Sequence, residues 1–323
     1  MTIASSRPIE EQSAAPGPHR FEPQVENRPT SLAPGPLRVV AFNAQGGVRL
    51  DGIRKCFERE PLRGAAIILL SEADLGTLRS GRRKIASELA AALGMSCAYV
   101  PEFGLQTRKG KIVSYLGNAI LAREPMDSVV AIALPKVGVR YPRMPRSLGR
   151  VSRIGSQAAI VAMIRVRGRP LRLCVAHLDS RAHPNGRDLQ MATLMEHFPS
   201  DAPAILGGDL NTTTVELLDP SSVRIVLRDM LFNSRRFRDP RGREPLLARL
   251  EDAGFMTRGV NVEGRPTFTF ARIIPPWMRP KLDWLALRGL DPVPGSARVV
   301  PARPGFFAAR VSDHDFIAVD VDL

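Results

Sequence analysis

The side chains best suited to chemistry in this 323-residue chain lie in residues 207–212 (GGDLNT), where Asp209 and Asn211 follow an apolar run and two glycines. Residues two apart on a strand point to the same face, so this carboxylate and this amide would share one site. Glycine lets the backbone pass close to a ligand or turn sharply. A carboxylate can accept a proton and orient a water, which is hydrolytic chemistry. The alternative is an Asx turn that only ends a strand.

Polar side chains also end other apolar runs of the sequence. Near the C-terminus, Ser312, Asp313 and His314 precede an alternating segment, residues 315–323, that is typical of a half-buried strand. The polar residues that follow the remaining runs and could carry chemistry are Asn43, Glu72, His177 and Asp283. This recurrence is too regular for chance, so we interpret the strand ends together as one site.

The composition is that of a globular protein. Hydrophobic residues make up 44% of the chain, which is enough for one large domain or two small ones. No apolar run approaches the roughly 20 residues that cross a bilayer. Residues 1–8 lack a secretory signal, so we expect a cytoplasmic protein. Cys56, Cys97 and Cys174 match neither a metal site nor a disulfide framework, and we expect them to be buried.

The formal net charge of +14 favours anionic partners, namely nucleic acid, nucleotide or a phospholipid surface. Only six of the 46 basic residues are lysine. A GC-rich coding sequence would produce the same skew towards arginine. The total charge therefore does not choose among these partners.

Local clustering of charge is more specific than the total. Between Lys136 and Arg153 the sequence holds six basic residues and no acid. Prolines exclude a regular helix there, and they share a three-residue period with Arg140, Arg143 and Arg146. A polyproline segment would place these three arginines along one edge. One hypothesis is that this edge contacts substrate phosphates, and the alternative is a solvated loop.

The elements that must position these residues are predicted from hydrophobic periodicity. Residues 1–36 are interpreted as a flexible Pro-rich tail and residues 37–323 as one domain. Strands are expected over residues 38–43, 65–71, 96–100, 118–122, 128–134, 157–166, 171–177, 204–207, 282–287 and 316–321. Helices are expected over residues 52–60, 82–93, 187–197, 223–233 and 245–253. Such a mixture indicates an α+β fold with two packed sheets covered by helices.

Taken in order, these motifs resemble the endonuclease/exonuclease/phosphatase superfamily, and in particular its deoxyribonuclease and neutral sphingomyelinase branch. The resemblance runs from about residue 37 to residue 323 and includes residues 117–121 (GNAIL) with Asn118. It implies a four-layered α/β sandwich in which helices flank two packed, mixed central β-sheets. It also implies that residues 37–323 are a catalytic domain that hydrolyses phosphate esters with a divalent metal ion.

The resemblance implies a role for each of the motif residues. Glu72 would be the central ligand of Mg²⁺ or Mn²⁺, with Asn43 and Asp313 nearby. These hard oxygen donors suit such ions. His314 would donate to the scissile phosphate or handle a proton, and Asp283 would orient its imidazole.

The remaining residues would act on the water, the phosphate and the leaving group. Asp209 would position or deprotonate the attacking water, and Asn211 would hold the phosphate or help to order that water. His177 would assist protonation of the leaving group. Asn118 would contribute to substrate binding.

The expected substrate is a phosphodiester of nucleic acid, because the chain is basic. The enzymatic alternative is a phospholipid or a phosphoinositide. A third interpretation is a catalytically silent scaffold that binds anions. Trp277, in the apolar residues 273–278, would stack a base or touch lipid, and the alternative is that it packs on the domain.

Overall fold

The structure, a computed structural model, describes residues 21–28, 32–107, 109–137, 151–199, 202–213, 224, 228, 235–269 and 275–323. The proposed edge formed by Arg140, Arg143 and Arg146 lies outside the described residues. Most of the helix expected over residues 223–233 lies outside them too. Both therefore stay predictions.

Strands and short helices alternate along the chain. In chain order, the strands of the described residues are β1 (Gln24–Glu26), β2 (Leu37–Gly46), β3 (Ile67–Leu75), β4 (Ser96–Thr107), β5 (Ile112–Ala122), β6 (Met126–Ala133), β7 (Val151–Gly155), β8 (Ala158–Val166), β9 (Arg169–Val175), β10 (Ala204–Asp209), β11 (Asp283–Arg288), β12 (Asp291–Pro292), β13 (Arg298–Val300) and β14 (Phe316–Asp322). The helices are α1 (Leu50–Phe57), α2 (Ile85–Leu93), α3 (Pro184–Met195), α4 (Arg235–Arg238) and α5 (Pro245–Asp252). Every expected strand overlaps an observed one, and α1, α2, α3 and α5 overlap expected helices.

The strands form two mixed sheets. Within the described residues, the larger sheet has the order β1-β4-β5-β3-β2-β14-β12, with β7 paired to β4 and β13 paired to β14. The smaller sheet has the order β11-β10-β9-β8-β6. The pairs β2–β3 and β9–β10 are parallel, whereas β2–β14 and β10–β11 are antiparallel. With helices on the outer faces, this is the expected four-layered α/β sandwich.

Three hydrophobic clusters hold the layers together. Val39 and Leu69 of the larger sheet share the central cluster with Leu173 of the smaller sheet. Phe42 and Leu70 point the other way, into the cluster that includes side chains of α1 and α2. A third cluster buries α3 and α5 against the smaller sheet. Successive strand residues alternate between faces, and here both faces are buried, so β2 and β3 are nearly continuous apolar runs.

The flexible tail expected over residues 1–36 needs a correction, because residues 21–28 belong to the fold. β1 pairs with the edge of β4, and Phe21 is buried in a core cluster. Asn27 donates a hydrogen bond to the backbone oxygen of Met126 and accepts one from its nitrogen. Backbone groups make the strand pairing, so the polar composition of this segment did not predict it. The rest of the domain division stays a prediction.

The sequence also led to expectations about the cysteines and about membrane-spanning segments. Cys56, Cys97 and Cys174 are buried and form no disulfide, as expected. Within the described residues, no helix is both long and apolar enough to cross a membrane. The cytoplasmic location stays a prediction.

Candidate active site

The site forms where β10 of the smaller sheet faces the larger sheet. Asp209, the last residue of β10, is buried, and its Oδ2 accepts a hydrogen bond of 2.9 Å from Nδ2 of Asn43 on β2. Its Oδ1 accepts a 3.0 Å hydrogen bond from the backbone nitrogen of Asn211. This second bond closes an Asx turn. The turn therefore exists and fixes the carboxylate that faces Asn43, while the hydrolytic role of residues 207–212 stays a prediction.

Gly208 allows β10 to approach β9 closely just before Asp209. Its φ is +131°, and a Cβ at this position would lie 2.2 Å from the carbonyl oxygen of Ala176. A residue with a side chain would require the backbone to move. Glycine at this position therefore allows the close backbone approach that sets the position of Asp209.

His314 and Asp283 form a buried pair beside Asp209. Nδ1 of His314 lies 2.8 Å from Oδ2 of Asp283, and its Nε2 lies 3.7 Å from Oδ2 of Asp209. Asp283 sits opposite Asp209 in the β10–β11 register, and its backbone nitrogen donates to Oγ1 of Thr267. Burial lowers the pKa of His314, but the charges of Asp283 and Asp209 outweigh burial and raise it to about 10. The imidazole is therefore positively charged at neutral pH.

His177 and Glu102 form a second buried pair. Nδ1 of His177 lies 3.0 Å from Oε2 of Glu102, and its Nε2 lies 3.8 Å from Glu72 and 3.9 Å from Asp209. Burial again lowers the pKa of this histidine, and the nearby carboxylates, with Glu102 first, raise it to about 10. The site thus presents two charged imidazoles, whose Nε2 atoms both lie near Asp209.

Glu102 is the site residue that the sequence analysis missed. It lies in β4, is fully buried, and its Oε1 accepts a hydrogen bond of 3.3 Å from the backbone nitrogen of Ala158. A carboxylate within a buried apolar strand needs a partner, because an unpaired buried charge is very costly. That argument could have identified Glu102 as the partner of a histidine. It could not have shown that the histidine is His177.

Glu72 and Asp313 provide further oxygen donors, and Oε1 of Glu72 lies 3.8 Å from Nε2 of His177. The register of β3 with β5 shifts between Leu70 and Ala73, and Glu72 has a φ of +53°, an uncommon conformation for this residue type. Burial raises the pKa of Asp313, and the charge of Glu72 raises it further while His314 opposes the rise.

Asn43 completes this group of donors. Its Oδ1 accepts a hydrogen bond of 2.9 Å from the backbone nitrogen of Gln45, which leaves one of the two lone pairs of that oxygen. Two carboxylates that repel each other, with an amide oxygen from the neighbouring strand β2, are oxygen donors of the kind that Mg²⁺ prefers. The expected ligands Asn43, Glu72 and Asp313 therefore fit such an ion chemically.

Another group of metal-capable atoms is formed by Asp209, Asp283 and His314, whose ligand atoms lie within 4.8 Å of one another. This group differs from the expected ligand set. Nδ1 of His314 is bonded to Asp283, so the imidazolium already neutralises part of the acidic charge. The proton-handling role expected for His314 stays a prediction.

The side-chain amides of the two other expected asparagines donate to backbone oxygens next to the site. Asn211 has a φ of +51°, and its Nδ2 donates a hydrogen bond of 2.8 Å to the backbone oxygen of Leu178. Asn118 is fully buried on β5, and its Nδ2 donates to the backbone oxygen of Ala158, the residue that also contacts Glu102. The structure thus connects Asn118 to the His177 side of the site. The roles of both in phosphate or substrate binding stay predictions.

Two further residues lie near the site in sequence or in space. Trp277, in a 3₁₀ turn over Pro276–Met278, is half-exposed, and its substrate contact stays a prediction. Asp74 is buried and accepts two hydrogen bonds of 2.8 Å from Arg79, which is half-exposed. The hydrogen bonds to Asp74 raise the pKa of Arg79 and the charge of Glu72 adds to the rise, so this guanidinium lies on the Glu72 side of the site.

The two-sheet sandwich holds buried acids, two charged imidazoles and several oxygen donors, and these groups suit hydrolytic chemistry. The family described as "Endonuclease/Exonuclease/phosphatase family" matches residues 40–314. The chain therefore belongs to this family, whose members are hydrolases acting on phosphoester bonds. The deoxyribonuclease and sphingomyelinase branch stays a prediction. No curated protein sequence matches the chain significantly.

Solved structures share the fold at low sequence identity. An endonuclease/exonuclease/phosphatase from Beutenbergia cavernae DSM 12333 is 17% identical, with a TM-score of 0.56 over 89% of this chain and 71% of that one. The human Nocturnin catalytic domain with bound sulfate is 15% identical, with a TM-score of 0.53 over 93% and 97%. D. rerio TDP2 complexed with single strand DNA product is 16% identical, with a TM-score of 0.51 over 89% and 99%.

Proposed function

We propose that this protein is a phosphodiesterase that uses Mg²⁺, or Mn²⁺ in its place, to hydrolyse nucleic acid by in-line attack of an activated water. The observation that carries the proposal is the convergence of two carboxylate–histidine pairs on Asp209. A phosphodiester needs an oriented water, stabilised phosphoryl oxygens and a protonated leaving oxygen. Each of these needs has a matching group within the site.

The protein groups divide these tasks by position. Asp209 orients the water through a carboxylate that Asn43 and the backbone of Asn211 hold in place. His314 donates its Nε2 proton to a phosphoryl oxygen, and Asp283 keeps the ring charged and oriented.

On the Glu72 side of the site, His177 is assigned to the leaving oxygen. Its Nε2 is charged at neutral pH and can give up a proton. Glu72, Asp313 and Asn43 would hold the metal ion, which supplies Lewis-acid neutralisation of the phosphate.

Nucleic acid is the substrate class that the charge of the chain supports. A net charge of +14 attracts a polyanion over long distances. The fold is similar to that of TDP2 in a complex with a single strand DNA product, which supports this choice. Phospholipid is the second candidate, because two phenylalanines, Phe306 and Phe307, are almost fully exposed in the loop before Ser312.

The test is turnover by the purified protein with Mg²⁺ or Mn²⁺, with and without EDTA. Substrates are single-stranded, duplex and abasic DNA, sphingomyelin and phosphoinositides. We expect metal-dependent cleavage of DNA that is lost in Asp209→Asn. The matched control is Asp127→Asn, which alters an exposed carboxylate on β6 that pairs with Arg165 on β8. This variant should cleave DNA as wild type does. Binding of anions without turnover of any substrate would instead identify a catalytically silent scaffold.

A further inference from the structure

The loop that precedes Ser312 carries two exposed aromatic rings. Phe306 is 87% exposed and Phe307 is 96% exposed. Their rings meet edge to face, with centroids 5.0 Å apart and planes at 85°. Exposed apolar groups of this size, placed together, mark interaction surfaces. The chemistry proposed for the site uses neither ring.

This loop is attached firmly to the site. The backbone nitrogen of Val311 donates a hydrogen bond of 2.8 Å to the oxygen of Ala302, which closes residues 303–310 into a loop. The backbone nitrogen of Ala302 donates a 3.0 Å hydrogen bond to Oδ1 of Asp315, the residue after His314. Anything that binds the tip of the loop is therefore held next to the proposed active site.

The tip of the loop is apolar and its base is basic. Residues 304–309 (PGFFAA) contain no charged or hydrogen-bonding side chain, and Arg303 and Arg310 bracket them. Arg59, at the end of α1, lies against the same loop. Arg49, at the start of α1, donates a hydrogen bond to the backbone oxygen of Arg310. Guanidinium groups therefore surround the base of an uncharged tip.

Asp315 pairs with Arg310 and offsets its charge, whereas the acids on and just after α1 have other cationic partners. Asp51 on α1 pairs with Arg83, and Glu58 pairs with Arg54. These pairs leave the loop side of α1 with a positive balance, which attracts anionic groups.

An anionic bilayer fits this surface better than an unpaired base does. Rings at 85° cannot enclose a base between them or continue a stack of parallel bases. An apolar tip with arginines behind it matches the boundary between acyl chains and phosphate headgroups. We propose that residues 303–310 dock the protein on an anionic phospholipid surface, with Phe306 and Phe307 inserted below the headgroups. This docking needs no catalytic turnover. The docking can therefore be disproved while the proposed nuclease activity holds, and the activity can be disproved while the docking holds.

Vesicle flotation with the full chain tests the docking. We expect the protein to float with vesicles of phosphatidylcholine and phosphatidylserine, and less with phosphatidylcholine alone. The double variant Phe306→Ser, Phe307→Ser keeps the charge and should bind the anionic vesicles at least about tenfold more weakly. Leu189→Ser is the matched control, because it removes a half-exposed apolar side chain from α3 and should bind like wild type.

Fluorescence gives a second measurement. Phe306→Trp places a reporter in the tip, and its emission should shift to shorter wavelength when anionic vesicles are added. An unchanged emission with saturating vesicles would contradict insertion. Thermal melting of the double variant should match wild type, because both rings are exposed and hold no core contacts.

Several outcomes would overturn the proposal. One is wild-type protein that does not bind anionic vesicles. Another is a double variant that binds them as tightly as wild type does. A double variant that keeps vesicle binding but loses affinity for a single-stranded oligonucleotide would assign the loop to nucleic acid.

Discussion

Each of the two carboxylate–histidine pairs takes one residue from each sheet, but the sheet that supplies the histidine differs between the pairs. His314 precedes β14 of the larger sheet, and its partner Asp283 begins β11 of the smaller one. His177 follows β9 of the smaller sheet, and its partner Glu102 lies within β4 of the larger one. Each pair therefore crosses the interface between the sheets. Neither pair can form until the sandwich is packed.

The pairs differ in what their Nε2 atoms approach. Nε2 of His314 lies 3.7 Å from Asp209, whereas Nε2 of His177 lies 3.8 Å from Glu72 as well as 3.9 Å from Asp209. Their pKa values are raised to the same value, about 10. The comparison teaches that position, and not basicity, would separate the roles of the two imidazoles.

Replacing each imidazole in turn gives the largest expected effects and tests directly whether the two histidines have different roles. His314→Ala should lower kcat on single-stranded DNA roughly 10³-fold and His177→Ala roughly 10²-fold, since proton transfer and charge stabilisation contribute at these levels. Steady-state kinetics with Mg²⁺ measure both. The control is His197→Ala, because His197 is exposed beyond the end of α3. Losses below about tenfold for both site variants would contradict the assignment.

The carboxylates behind the imidazoles should have smaller and unequal effects. Asp283→Asn and Glu102→Gln keep the shape of each side chain but cannot hold a charged imidazole. We expect kcat to fall roughly 10²-fold for Asp283→Asn and roughly tenfold for Glu102→Gln, with KM nearly unchanged. In both variants the loss of activity at alkaline pH should begin at lower pH.

That alkaline shift separates positioning of an imidazole from a merely structural role. A Glu102→Gln variant that is less stable but has the wild-type kcat and pH profile would make Glu102 structural only. Ala158→Gly is the matched control, because it keeps the backbone nitrogen that bonds Glu102.

The raised pKa values also predict how stability depends on pH. A histidine whose pKa rises from 6.5 to about 10 on folding stabilises the fold fully below pH 6.5, and that contribution is lost as pH rises through about 10. In EDTA, the free energy of unfolding in urea should fall by on the order of a few kcal/mol between these values. Removing His314 or His177 should flatten this slope. A slope in both variants equal to that of wild type would refute the charged state of the imidazoles.

The smallest expected effect sharpens the comparison on the Glu72 side. Arg79 is half-exposed, and a Cβ on Gly46 would lie 2.7 Å from its Nη2, so it sits beside the end of β2. Arg79→Gln should raise KM for DNA a few-fold, with little change in kcat and a weaker salt dependence, if the phosphate backbone crosses that side. Arg165→Gln, at an exposed ion pair on β8, is the control. An unchanged KM would place the substrate elsewhere.

Local sequence was sufficient for much of the fold and for most of the expected site. Strands such as β2 and β10 were predicted because apolar periodicity is a property of neighbouring residues. Asp209, Asp283 and His314 were expected together because each borders such a run, and the structure brings them together. β1 was not predicted, because its place depends on backbone bonds to the edge of β4.

What the sequence determined alone was which polar groups border the apolar runs, because periodicity and turn chemistry are local. Tertiary structure decided which groups meet. Glu102 on β4 of the larger sheet reaches His177 of the smaller sheet only because the two sheets pack together, and Glu72 faces His177 from an irregular point in β3. Exposure of Phe306 was also decided there, since hydrophobic residues next to each other in sequence are ordinarily expected in a core. Contacts between distant segments depend on how the two sheets pack, and no short stretch of sequence contains that information.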